Sequence, residues 1–137
     1  RDIVQGTTAN DLLAAVEAND VLPGQGEIDV FVGHEGADTF VFGDSNGSYY
    51  DDGLAATLGL ADYGFVWDFT PGTDKVQLTG SAGSYLLTED AAALPPGTGI
   101  WLAGTGGDAD ELIGVLNNVS GIDLGTDYFI FTDTMFA

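Results

Sequence analysis

Seventeen aspartates and five glutamates face one arginine and one lysine in this chain of 137 residues, and many of the aspartates are regularly spaced. Steps of nine from Asp2 reach Asp11, Asp20, Asp29 and Asp38. Two residues after each comes an apolar side chain: Val4, Leu13, Leu22, Phe31 and Phe40. Glycines open several of the same units at Gly6, Gly24 and Gly33. Glycine allows positive φ and lets carbonyl oxygens approach one another. An aspartate adds a hard anionic oxygen to such a turn, and oxygen-only ligand sets suit hard divalent cations such as Ca²⁺. The apolar residue two positions later points to the same face of a short strand and can enter a core.

The elements that must hold these oxygens follow from the same period. Six residues of turn and three of strand make one unit, clearest in Gly33-His34-Glu35-Gly36-Ala37-Asp38-Thr39-Phe40-Val41. Each turn is half a cage, and a neighbouring turn on the same edge completes it. In a two-sheet roll, same-edge turns fall 18 residues apart, roughly two repeats, which pairs Asp11 with Asp29, and Asp2 and Asp20 with Asp38. For 12–18 a turn and strand stands against a short helix with Asn10 as N-cap or an irregular loop. Ala15, Val16 and Ala18 occupy positions where that unit would carry glycines.

Charge sets the partners. The formal net charge is −20, and the only cations are Arg1 and Lys75. Nucleic-acid binding needs a basic surface and is excluded as a natural activity. An anionic membrane surface is disfavoured on the same ground. With 45% hydrophobic and 11% aromatic residues the chain can bury a core, so disorder is not expected. Carboxylates in such excess repel one another within a compact body, and divalent cations are the natural source of compensating charge. There is no cysteine and a single histidine, which removes disulfides and conventional zinc sites. No apolar run reaches the length of a membrane span. No amino-terminal signal peptide is legible, and the chain reads as processed or as a fragment. His34 is the only imidazole, and no nucleophile motif accompanies it, so catalysis is not expected.

The chain resembles the carboxy-terminal regions of RTX, or haemolysin-type calcium-binding repeat, proteins, especially those of cyanobacteria. The matching stretches are 23–29, 36–44, 49–53, 61–63 and Val66-Trp67-Asp68-Phe69-Thr70-Pro71-Gly72-Thr73-Asp74-Lys75-Val76-Gln77-Leu78, with weaker echoes at 110–113 and 127–131. The Gly33 unit fits the family pattern G-G-x-G-x-D-x-U-x, with His34 at the second glycine. The resemblance implies one all-β domain over 1–137: a short calcium-binding parallel β-roll over 1–45 and a β-rich, sandwich-like cap over 46–137. It also implies several Ca²⁺ ions, type I secretion on an uncleaved carboxy-terminal signal, and an extracellular or cell-surface location. The expected metal-binding residues are Asp11, Gly24, Gly26, Asp29, Gly33, Gly36, Asp38, Asp44, Asn46, Asp51, Asp68 and Asp74. Glycines are thin before Gly24, which implies fewer intact sites than in long arrays.

Three further acidic segments have bland alternatives beside them. Residues 44–53 are a calcium loop through Asp44, Asn46 and Asp51 or Asp52, or else a solvated acidic turn. Asp68 and Asp74 are ligands by resemblance, or simply cap the turn at Pro71-Gly72. Asp108, Asp110 and Glu111 form one more acidic loop, with a metal or without one. Strands are expected at 65–69, 75–78, 85–87, 100–102, 111–116 and 128–131, with Trp67 and Trp101 in the core. Asn118-Val119-Ser120 fits a glycosylation sequon. The expected function is a secreted, calcium-folded, self-associating structural subunit of a fibre, sheath or surface layer. The alternative is a calcium-dependent export or stabilising module of a larger enzyme or adhesin.

Overall fold

The computed structural model describes residues 3–14, 28–44, 47–48, 63–90, 94–103, 110–122, 124 and 128–132, without the side chains of 44, 47, 48 and 132. The described chain is all-β apart from one short 3₁₀ turn, Ala82–Ser84. The strands are β1 (Ile3–Gln5), β2 (Leu12–Leu13), β3 (Ile28–Val32), β4 (Thr39–Val41), β5 (Gly43–Asp44), β6 (Gly47–Ser48), β7 (Tyr63–Val66), β8 (Lys75–Thr79), β9 (Tyr85–Glu89), β10 (Gly97–Leu102), β11 (Glu111–Asn117) and β12 (Phe129–Thr132). The order in the six-stranded sheet is β1-β3-β7-β11-β10-β9, and in the four-stranded sheet β12-β8-β4-β2. β5 and β6 form a separate two-stranded ribbon.

The chain alternates between the two large sheets. β1 is followed by β2, β3 by β4, β7 by β8 and β11 by β12, and each odd member joins the larger sheet. Pairing of β1 with β3, β3 with β7 and β7 with β11 is parallel, as is pairing of β2 with β4, β4 with β8 and β8 with β12. Parallel pairing therefore runs on well past residue 45. The antiparallel part is β9–β10–β11, at one side of the larger sheet.

The core lies between the sheets. The period-two pattern directs Val4, Phe31, Val66 and Leu116 inward from one sheet, and Leu13, Phe40, Val76 and Phe129 from the other. These are matched rows: Leu13 pairs with Phe40, Phe40 with Val76 and Val76 with Phe129. Phe31 meets Phe40 edge-on across the layer at 6.1 Å, and Phe42 at 5.5 Å. Gly64 and Gly114 sit side by side in the larger sheet because the Phe42 ring fills the space over them. A smaller cluster of Tyr63, Leu112 and Val115, with Phe65 and Trp101 packed against it, forms apart from this core.

Two expectations need correction. Trp67 is not a core residue: it is 58% exposed. It leaves β7 on the face opposite Val66, so the same alternation that buries Val66 turns the indole outward. The 18-residue pairing of Asp11 with Asp29 does not form either, because Asp29 lies within β3 of the larger sheet while Asp11 leads into β2 of the other. Leu12 and Leu13 are strand and not helix; the rest of the disputed segment 15–18, and Asp2 and Asp20, lie outside the described residues.

A candidate cation-binding edge

Three turns carry the chain from the larger sheet to the smaller: 6–11, 33–38 and 68–74. Each ends on an aspartate, and strand register stacks the three. Leu12 pairs with Thr39 and Thr39 with Lys75, which aligns Asp11, Asp38 and Asp74 just before them. The sequence intervals are 27 and 36 residues, three and four nonapeptide lengths. The apolar row behind the aspartates is Leu13, Phe40, Val76 and Phe129, each two residues after an aspartate. Asp127, which completes that pattern, is outside the described residues.

The column is tied together through its own carboxylates. Asp11 N–H donates to Asp38 Oδ1 at 3.0 Å, and Asp38 N–H donates to Asp74 Oδ1 at 2.9 Å. In return, Thr39 N–H donates to the Asp11 carbonyl and Lys75 N–H to the Asp38 carbonyl, both at 2.8 Å. The remaining oxygens close individual turns. Thr7 N–H donates to Asp11 Oδ2, and Thr70 N–H donates to Asp74 Oδ2 at 2.8 Å. Asp68 spans two turns, accepting from Gly33 N–H and His34 N–H through its two oxygens, each at 2.8 Å. Asn10 Oδ1 accepts from Ala37 N–H at 2.7 Å, a cross-turn contact that sequence reasoning missed.

Asp38 is the exception in this network. It is 1% exposed, yet its Oδ2 has no hydrogen-bond partner. Gly33 lies directly against that oxygen, and a Cβ at Gly33 would collide with it. Gly6 stands in the same relation to Asp11, where a Cβ would come within 2.6 Å of Oδ2. The glycine that opens each of these turns thus makes room for the carboxylate that ends it. A glycine followed five residues later by aspartate is the sequence signal for this pairing. Burial pushes the Asp38 carboxyl above its ordinary range, and the neighbouring Asp74, Asp11 and Asp68 charges push it further. Asp74 is raised in the same way, by burial first and then by Asp68.

The turn conformation survives the histidine substitution. His34 adopts φ 64° and Gly36 φ 97°, so the second-glycine position of the pattern is left-handed even with a side chain. Its imidazole lies in the open, with Nε2 3.4 Å from Gln5 Oε1.

Of the residues expected to bind metal, Asp11, Gly33, Gly36, Asp38, Asp68 and Asp74 come together on this edge. Asp29 does not: it is fully buried in β3, where it pairs with Gly64, which pairs in turn with Gly114. Gly24, Gly26, Asn46 and Asp51 lie outside the described residues, as does the side chain of Asp44. Asp108 does too, while Glu111 is buried at the start of β11. Among the described residues, no three Asp, Glu, His or Cys side chains converge to hold a metal by themselves. A cation on this edge would draw part of its six to eight oxygens from turn carbonyls, as Ca²⁺ commonly does. An all-oxygen set with one buried, unpartnered anionic oxygen suits a hard cation. No protein-family model matches the chain, and no curated protein matches it.

Proposed function

We propose that this chain is a secreted calcium-binding protein of the RTX type, whose strands coil as a β-roll when Ca²⁺ occupies the aspartate edge. One observation carries the reading: Asp38 buries an unpartnered carboxylate oxygen within a stack of three turns, two of them opened by glycine, beside two more aspartates. A buried anion without compensation is strongly unfavourable. A divalent cation supplies the compensation, and the net charge of −20 makes the whole chain dependent on it. The alternation of parallel strands between two sheets supports a coil of this kind.

Folding and metal binding are then one equilibrium. Extracellular calcium modules bind at about 10⁻⁴–10⁻³ M. An independent site at a hundred times its dissociation constant adds about 2.7 kcal/mol. A few sites reach the scale of a small domain's stability, about 5–15 kcal/mol. The chain is loose where calcium is scarce, which suits passage through an exporter, and closes outside the cell. There it serves as a structural subunit that associates with its own kind, cations bridging surfaces that otherwise repel.

Circular dichroism during a calcium titration tests the first step. A cooperative gain of β signal, reversed by EDTA, is the expected result; unchanged spectra would refute the reading. Native mass with and without calcium tests the second. Large calcium-dependent polymers support the structural subunit, and a monomer in both states replaces it with a stabilising module of a larger secreted protein.

A further inference from the structure

A separate feature lies on the outer face of the six-stranded sheet, on the strands β1, β3, β7 and β11. Gln5 pairs with Val32, and Trp67 N–H donates to the Phe31 carbonyl at 2.9 Å, which sets Trp67 beside Val32. Leu116 pairs with Val66, and Asn117 Nδ2 donates to the Trp67 carbonyl at 3.1 Å. Gln5, Val32, Trp67 and Asn117 thus form one row across four strands, about 14 Å from end to end at the usual strand spacing. The indole in the middle is 58% exposed. Phe65 packs beside it, with ring centroids 6.3 Å apart. Gln5 is exposed, and the His34 imidazole stands next to it.

We propose that this row is a binding platform for a neutral saccharide. A supported, exposed indole offers a flat apolar surface with a polar N–H at its rim, which matches the C–H face of a pyranose ring. Side-chain amides both donate and accept, which matches vicinal hydroxyls. The length of the row accommodates a few sugar rings in a line. Charge selects the neutral class. The carboxylate of Asp68, which follows Trp67 in the sequence, is engaged by Gly33 and His34 amides. A body of charge −20 repels anionic polymers. Trp101, the second tryptophan, is engaged differently: its indole N–H donates to Thr88 Oγ1 at 2.9 Å, and it packs in the smaller cluster.

The test uses the calcium-loaded chain and cellohexaose, a neutral flat oligosaccharide. Tryptophan emission is followed during titration, with acrylamide quenching before and after. Saturable protection of one tryptophan is expected. Trp67→Ala should weaken binding by about tenfold or more, the scale of a central aromatic contact, while Trp101→Phe retains it. Gln5→Ala should weaken binding by a smaller factor without touching the core. The absence of saturable protection overturns the proposal, as does equal binding by Trp67→Ala with an unchanged dichroism spectrum. Equal affinity for anionic polygalacturonate overturns the assignment to a neutral ligand.

Discussion

Asp38 and Asp29 start from the same local sequence, an aspartate two residues before a buried phenylalanine, yet they stand in unlike columns. Along the smaller sheet the position before each strand stays aspartate through Asp11, Asp38 and Asp74. Along the larger sheet the position of Asp29 becomes Gly64 and then Gly114, and Phe42 fills the room that results. One column concentrates charge and suits a cation; the other removes charge and is packed with an aromatic ring. The same alternation of strands between two sheets therefore supports two ways of holding a row together, and side-chain volume at one position decides which.

A pair of glycine substitutions separates the two columns most strongly. Gly33→Ala pushes a methyl group into the Asp38 carboxylate, and Gly64→Ala pushes one into the Phe42 ring, 2.5 Å from the nearest ring carbon. Each should cost about 1–3 kcal/mol, as overpacking does. Gly33→Ala should also raise the calcium midpoint several-fold, well beyond Gly64→Ala, which shifts that midpoint only through the stability it loses. Melts at several calcium concentrations check this, and matching calcium midpoints in the two variants would erase the distinction.

Neutralising one rung sharpens the contrast. Asp38→Asn keeps the shape and removes a buried charge, so the cation-free protein should be at least as stable as before. Its gain on adding calcium should shrink markedly. Chemical denaturation in EDTA and in millimolar calcium measures both arms; a loss of stability confined to the EDTA arm would contradict the role given to this carboxylate.

The smallest expected effect is a trend with pH. The folded-state carboxyls of Asp38 and Asp74 are raised above the ordinary value of 3.8 by burial and by neighbouring carboxylates. Folding thus favours their protonated forms. Their stabilising contribution is complete below the unfolded value and disappears as pH rises through the folded values. Without a divalent cation, the melting temperature should climb as pH falls from neutrality towards 4, about the unfolded aspartate value. With calcium the slope should reverse, since protons displace the ion. A flat cation-free profile would count against the buried pair.

Much of this edge is legible in the residues alone. The aspartate-x-apolar rhythm locates Asp11 and Asp38, and the apolar positions after them do enter the core. The partner of each aspartate is not legible, because the intervals of 27 and 36 residues depend on how much chain intervenes between coils. A nine-residue step describes a half-turn well and says little about excursions such as the ribbon of β5 and β6. Trp67 misled for another reason. Its apolar character suggests a core, but parity along β7 had already given the inward place to Val66. The role of Phe42 was hidden as well, since nothing local marks Gly64 and Gly114 as the floor of one pocket.

The carboxylate contacts between turns have a direction. Asp74 holds the amide of Asp38, and Asp38 holds that of Asp11, so in this column each later carboxylate grips the turn before it. The return contacts run the other way, from the Thr39 and Lys75 amides to the Asp11 and Asp38 carbonyls, so neighbouring turns part only by breaking bonds of both senses.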